Sequence, residues 1–295
     1  MTELLSLHLA HLRRINGRPD SIRDRRDNVL RYERWLNGIA HSDVTQETIL
    51  RWQDYITPRV ATSSAVTYVS NIRAFYAWAY EYEHLPTNPA ARIRRPRLDA
   101  AKPRPVPPLH FRAALRGATG DLRAMFILCG YLGLRVGEIA RMRREDVLRE
   151  PIGTFLLIHG KGGKQRVIPL PDPIERMLAP WLVGRAGPVF LGSTGRQLRP
   201  GEVTYTVSTH FQGLGMPWTA HNLRHRTATR LLQLTKDVRL VQQILGHTSL
   251  STTAGYLDVT PEYAMESMAL LSGELRIDLG LPPEPEPEPG LGAAA

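Results

Sequence analysis

Six side chains of this sequence stand where their type and setting could carry chemistry: Arg135, Lys161, His221, Arg224, His247 and Tyr256. Arg135 lies in LGLRVGEIARM, at the expected start of a helix. Exposed backbone N–H groups there favour an anion, so its guanidinium could help to grip a phosphate. Lys161 lies in HGKGGK, a turn whose glycines let the backbone approach a ligand closely and leave the amine exposed. The turn does not fit a nucleotide phosphate-binding loop, because the spacing differs and no Ser or Thr follows Lys164. His221, Arg224 and His225 form HNLRH, and spacings of three and four put them near one helix face. Thr219 is the expected N-cap, which sets His221 in the first turn. Two histidines four apart also raise a helical zinc pair, but Asn222 stands where a metalloprotease carries Glu, and no third ligand is evident. Gly246 can end the preceding helix and leave His247 at an exposed corner, nine residues before Tyr256. Taken singly, each has an ordinary explanation, for Arg135 is one of 34 arginines and Tyr256 one of ten tyrosines.

The ordered set is far more specific than its members. LGLRVGEIARM, HGKGGKQRVIPL, HNLRHRTATRLL and LGHTSLSTTAGYL together resemble the catalytic domain of the tyrosine recombinases, also called the phage integrase family, over residues 109–260. The N-terminal part is more weakly similar to that family's core-binding domain, through a long aromatic helix and the NPAARIRRPR run that ends it. The resemblance implies that the Tyr256 hydroxyl attacks a DNA phosphodiester, forms a 3′-phosphotyrosyl link and releases a 5′-hydroxyl. It implies that Arg135 and Arg224 clamp the non-bridging oxygens and that His247 adds a further donor. Lys161 would protonate the leaving oxygen, and His221 would accept the tyrosine proton. Glu138 matches a supporting acidic position, and His225 is expected to stand behind the reacting groups. No metal, cofactor or ATP is implied, since the arginines carry the positive charge and the link conserves the bond energy. Arg226 stands where relatives often have Thr, and Ala254-Gly255 where a bulkier pair is common. Gly255 could loosen the helix carrying the nucleophile by ~1 kcal/mol relative to Ala.

The elements that must position these groups are mostly helical. Residues 1–98 read as a small helical bundle, with Val29, Tyr32 and Leu36 on one stripe and Ala65, Val69, Ile72, Tyr76 and Ala79 on another. Ser63 or Ser64 is the expected cap of that second helix. Residues 99–108 read as a basic, proline-rich linker, stiff and extended. Residues 109–276 read as a mostly helical catalytic domain. It holds a buried helix over Ala124–Leu132, a break at Gly133 and a restart near Arg135. One hairpin of Phe155–His159 and Arg166–Leu170 follows, then helices near 221–234, 237–245, 250–257 and 261–272. Residues 277–295 are expected to be a disordered acidic, proline-rich tail. The fold class is therefore mainly α with a small β-hairpin or sheet. In 261–272, Tyr263, Met265, Met268 and Leu270 could dock on a neighbouring protomer, as the resemblance suggests, or on their own domain.

Charge points to the partner. The chain carries a formal +10, and moving the four acids of the tail (Asp278, Glu284, Glu286, Glu288) out of the count leaves +14 on the body. Only four of its 38 basic residues are lysines, and Arg forks suit phosphate oxygens. No apolar run is long enough for a membrane span, and no secretory signal or disulfide pattern appears, so a cytoplasmic, nucleoid-associated protein is expected. The resemblance implies a tetramer on double-stranded DNA that exchanges strands through a Holliday junction, with accessory bending or directionality factors as further partners. Integration or excision of a phage or mobile element is the favoured role, ahead of Xer-type resolution of chromosome or plasmid dimers. Rivals are a single-duplex relaxing enzyme of the type IB kind, an inactive DNA-binding regulator on the same scaffold, and, more distantly, a metal-dependent hydrolase.

Overall fold

The longest aromatic stripe of the sequence makes the first core. In the computed structural model, which describes residues 1–15, 17–97, 104–160, 163–246 and 260–281, the chain separates into two compact units, Met1–Lys102 and Pro103–Ala295. Among its described residues the first holds four α-helices: α1 (Glu3–Arg14), α2 (Pro19–Leu36), α3 (Gln46–Ile56) and α4 (Thr62–Glu81). Ala65, Val69, Ile72, Tyr76 and Ala79 are all buried on α4, and the last four join Val29, Tyr32 and Leu36 of α2 and Trp52 of α3 in one cluster. Each large aromatic fully removed from water contributes roughly 1.5–3 kcal/mol, so this cluster accounts for the bundle. Ala61 holds the N-cap position of α4 without a side-chain bond, because the helix starts at Thr62 and carries Ser63 and Ser64 inside its first turn. The expected serine cap is therefore corrected by a start two or three residues earlier.

The second unit is built around a helix that is apolar on every side. Ala124 to Gly130 are all buried in α6 (Gly120–Gly130), as a helix with no polar face must be. It packs against α5 (Pro108–Gly117), α8 (Asp172–Leu182), α9 (Pro200–Gly213) and α10 (Ala220–Thr235). The short α7 (Val136–Arg141) leads into an antiparallel sheet in the order β1 (Val147–Glu150), β2 (Gly153–His159), β3 (Gln165–Pro169). The single hairpin read from the sequence is thus the second half of a three-stranded sheet. VLRE of β1 lacks an alternating pattern and was not legible as a strand, yet it pairs Val147 with Leu156 and Glu150 with Gly153. The described fold is mainly α with a small β-sheet. No helix among the described residues is long and apolar enough to cross a membrane.

Two boundaries differ from the sequence reading. Residues 104–106, expected in the linker, are tied to the second unit, for Asn222 Nδ2 donates to the Arg104 carbonyl (2.9 Å) and the Val106 N–H to the Asn222 carbonyl (3.4 Å). After α11 (Val238–Leu245), α12 runs Pro261–Leu279, past the expected tail start at 277. Ala264, Met268, Leu271 and Leu275 form its buried stripe against α5, α8, α10 and β3 of the same unit, while Leu270 is 60% exposed and Tyr263 38%. Asp278, counted with the acidic tail, is 3% exposed and accepts from Arg112 Nε (2.7 Å), Tyr131 Oη (2.5 Å) and Arg226 Nη2 (2.9 Å). The expected helix near 250–257 and the residues beyond 281 lie outside the described residues.

Candidate active site

The break between α6 and α7 sets the first arginine. Gly133 has φ +64°, and a Cβ there would collide with the Leu245 side chain, so only glycine lets α11 pack this close. Two residues on, Arg135 occupies the N-cap position of α7. Its backbone N–H donates to Glu138 Oε2 and its Nη1 to Oε1, both at 2.9 Å. Glu138 is 4% exposed and would be raised by burial, but hydrogen bonds from Arg166 and Arg135 outweigh that and hold it down at about 2. It is a carboxylate at any ordinary pH.

The second arginine is set by α10. Thr219 takes the N-cap position expected of it, with its hydroxyl and N–H both turned to Asn222 Oδ1 (2.8 and 3.0 Å) rather than to the helix N–H groups. Arg224 is 5% exposed; Nη2 donates to the Leu245 carbonyl (2.5 Å) and Nη1 to that of Gly133. Burial and the nearby Arg135 charge pull its pKa down to about 10, so it stays a cation. His221 and His225 stack edge to face, with Nε2 atoms 2.9 Å apart, so one donates to the other. Both have lowered pKa values: His221 through burial, Arg224 and Arg135, and His225 through burial, His221 and Arg224. Among the described residues, no three His, Cys, Asp or Glu side chains gather as a metal-binding group.

The end of α11 joins these parts. Gly246 closes the helix in the left-handed region (φ +64°), as its type predicts. The last carbonyls of a helix lack partners and carry the negative end of its dipole. Here three consecutive ones are taken by three different arginines: Ile244 by Arg166 Nε (2.8 Å), Leu245 by Arg224 Nη2 (2.5 Å) and Gly246 by Arg135 Nη2 (3.1 Å). Lys161, His247 and Tyr256 lie outside the described residues. Those that are described, Arg135, Glu138, Arg224, His221 and His225, come together around the end of α11 and the start of α10.

Sequence reasoning missed Arg166. Its Nη1 and Nη2 donate to the two Glu138 oxygens at 2.8 and 2.9 Å, and its side chain is 13% exposed. The available signal was strand parity, since Arg166 shares a face of β3 with the buried Ile168 and an arginine there needs an internal acceptor. Arg135, Arg141, Lys164, Arg166, Gln242 and Gln243 line one cleft. At the turn end of the hairpin, His159 Nε2 pairs with the buried Asp146 (2.8 Å), and Gln165 faces His159 Nδ1 (3.2 Å). The arrangement presents guanidinium groups held by protein acceptors beside neutral imidazoles, which suits an anionic tetrahedral or bipyramidal centre.

Comparison with known proteins gives the same direction. The model of the phage integrase family matches residues 113–262. A tyrosine recombinase XerC from Rhodospirillum centenum is 36% identical over 217 residues, covering 67% of this chain and 62% of the relative. The chain therefore spans less than two thirds of that relative's length. Among solved structures, a lambda integrase dimer bound to a COC′ core site matches with a TM-score of 0.68 at 19% identity, over 87% of this chain and 98% of that one. A lambda integrase tetramer bound to a Holliday junction matches with a TM-score of 0.67 at 18% identity, over 85% and 78%. At such identities the likeness is one of fold.

Proposed function

The chain belongs to the phage integrase family, and from that premise we propose that it is a site-specific DNA recombinase that cuts and rejoins double-stranded DNA through Tyr256. The tyrosine oxygen bonds to phosphorus as the bond from phosphorus to the 5′-oxygen breaks. The tyrosine proton passes to His221, and Lys161 supplies a proton to the departing 5′-oxygen. Arg135 and Arg224, with His247, hold the charge that gathers on the non-bridging oxygens. Glu138 steadies Arg135, and His225 backs His221. The observation that carries the reading is the meeting of Arg135 and Arg224 at the end of α11, on adjacent carbonyls and beside His221, in the segment that leads to His247 and Tyr256.

The wider reading follows from the same premise. The first unit is a DNA clamp, supported by its groove of Arg73, Arg92, Arg94, Arg95 and Arg97. Four copies act on two sites and resolve a Holliday junction, with a bending or directionality factor as an added partner. The reaction takes place in the cytoplasm, on nucleoid DNA. Integration or excision of a mobile element is the role proposed, with Xer-type dimer resolution as the second reading.

A nicked suicide duplex carrying the site tests the chemistry. Wild type should become covalently linked to the 3′-phosphate in EDTA. Tyr256→Phe should bind but form no link, and Arg135→Ala and Arg224→Ala should bind yet cleave roughly 10²–10³ times more slowly. A covalent link in Tyr256→Phe, or wild-type rates in either arginine variant, refutes the assignment.

A further inference from the structure

We propose that Arg166 is a positioning residue of the phosphate clamp, holding Glu138 so that Glu138 can hold Arg135, and fixing that pair to the end of α11. The inference rests on the recombinase reading for its chemistry and on geometry for its content. Glu138 divides its oxygens between two arginines. Oε1 accepts from Arg166 Nη1 (2.8 Å) and Arg135 Nη1 (2.9 Å), and Oε2 from Arg166 Nη2 and the Arg135 N–H, both 2.9 Å. Arg166 Nε reaches the Ile244 carbonyl at 2.8 Å, so all three of its nitrogens are spent on protein acceptors. That leaves Arg135, 43% exposed at the side chain, to face the cleft, and makes Arg166, at 13%, part of its wall.

Three points show that the contact is built for a guanidinium. The pairing with Glu138 is fork to fork, which a lysine's single ammonium cannot match. Gly246 leaves room for it, since a Cβ there would sit 3.0 Å from Arg166 Cδ. The residue stands on β3, two positions from Lys164 at the mouth of the same cleft, so one side chain ties the hairpin, α7 and α11 together. A buried carboxylate stripped of the Arg166 fork keeps only Arg135 as a partner, and would draw that guanidinium inward, off the phosphate.

The test compares Arg166→Lys with wild type and Arg135→Ala. Single-turnover cleavage is measured on a suicide duplex, and again with one non-bridging oxygen of the scissile phosphate replaced by methyl. The methyl group removes the charge the clamp serves, so a defect in the clamp shrinks on that substrate and a general defect does not. Arg166→Lys should bind DNA normally, cut the ordinary phosphodiester on the order of 10²-fold more slowly, and recover most of that loss on the methylphosphonate, as Arg135→Ala should. Equal losses on the two substrates, or a wild-type rate on the first, would overturn the proposal. A second arm is independent of activity. Arg135 is one of the charges holding the His221 pKa down, so a displaced Arg135 must raise the His221 midpoint seen by NMR. An unmoved midpoint in Arg166→Lys overturns the proposal even if the chain cuts no DNA. Glu138→Gln breaks the same relay from its other end, and carries the same cleavage expectations on the two substrates should Arg166→Lys fold poorly.

Discussion

Individual residues here are defined by what they cannot do alone. Arg224 is nearly buried and survives as a cation because two carbonyls, of Gly133 and Leu245, replace its water. The same bonds fix the plane of its fork, so in the proposed reaction its remaining N–H groups would meet a phosphate without reorganisation. His221 is the opposite case, a base kept neutral by burial and by the charges of Arg224 and Arg135. Its pKa lies below the ordinary 6.5, so the proton-accepting form dominates at neutral pH and is lost only as pH falls through that lowered value. Cleavage should therefore hold level through neutrality and decline on acidification with a midpoint below 6.5. A decline already centred above 6.5 contradicts the assignment. The HNLRH and LGLRVGE patterns made these residues legible, because their spacing and neighbours are distinctive. Arg166 was not legible, because one arginine among 34 gains meaning only when strand parity turns it inward.

At the scale of elements, the sequence revealed periodic helices and hid what depends on pairing. The apolar stretch Ala124–Gly130 and the α4 stripe read directly as buried helices, since both periodicity and composition agree. β1 became a strand only through its partner β2, and the end of α12 only through Asp278. Arg226 explains that end: it stacks on Phe111 at 3.9 Å, donates to the Gly130 carbonyl and pairs with Asp278. α12 is thereby packed on its own unit, with Arg116 on the carbonyls of Ile277 and Asp278. Asp278→Asn takes from the buried Arg226 its nearer carboxylate and leaves only Glu274 at 3.7 Å, which costs about 3 kcal/mol. For a unit of this size that is a fall in Tm of roughly 10 °C, readable by circular dichroism. A drop of under about 2 °C for Asp278→Asn would show that the network does not secure the helix.

The whole molecule combines two separately cored units with a strongly positive body. In the proposed function the first unit offers arginines for the backbone of a duplex and the second for one phosphate, and the two groups differ in burial. Arg92, Arg94, Arg95 and Arg97 are solvent-facing and suit counterion exchange, whereas Arg224 and Arg166 are enclosed and suit a fixed geometry. Charge and linker composition made the two-part plan readable, while the position of the linker's end depended on Asn222, which no pattern announces. In the proposed reaction the covalent link forms at position 256. The most direct measurement is mass spectrometry of the proteolysed adduct from a suicide duplex. A nucleotide-bearing peptide with the mass added at Tyr256 is the predicted result. A link on Tyr263, on any other side chain, or none from protein that binds its site would contradict the account.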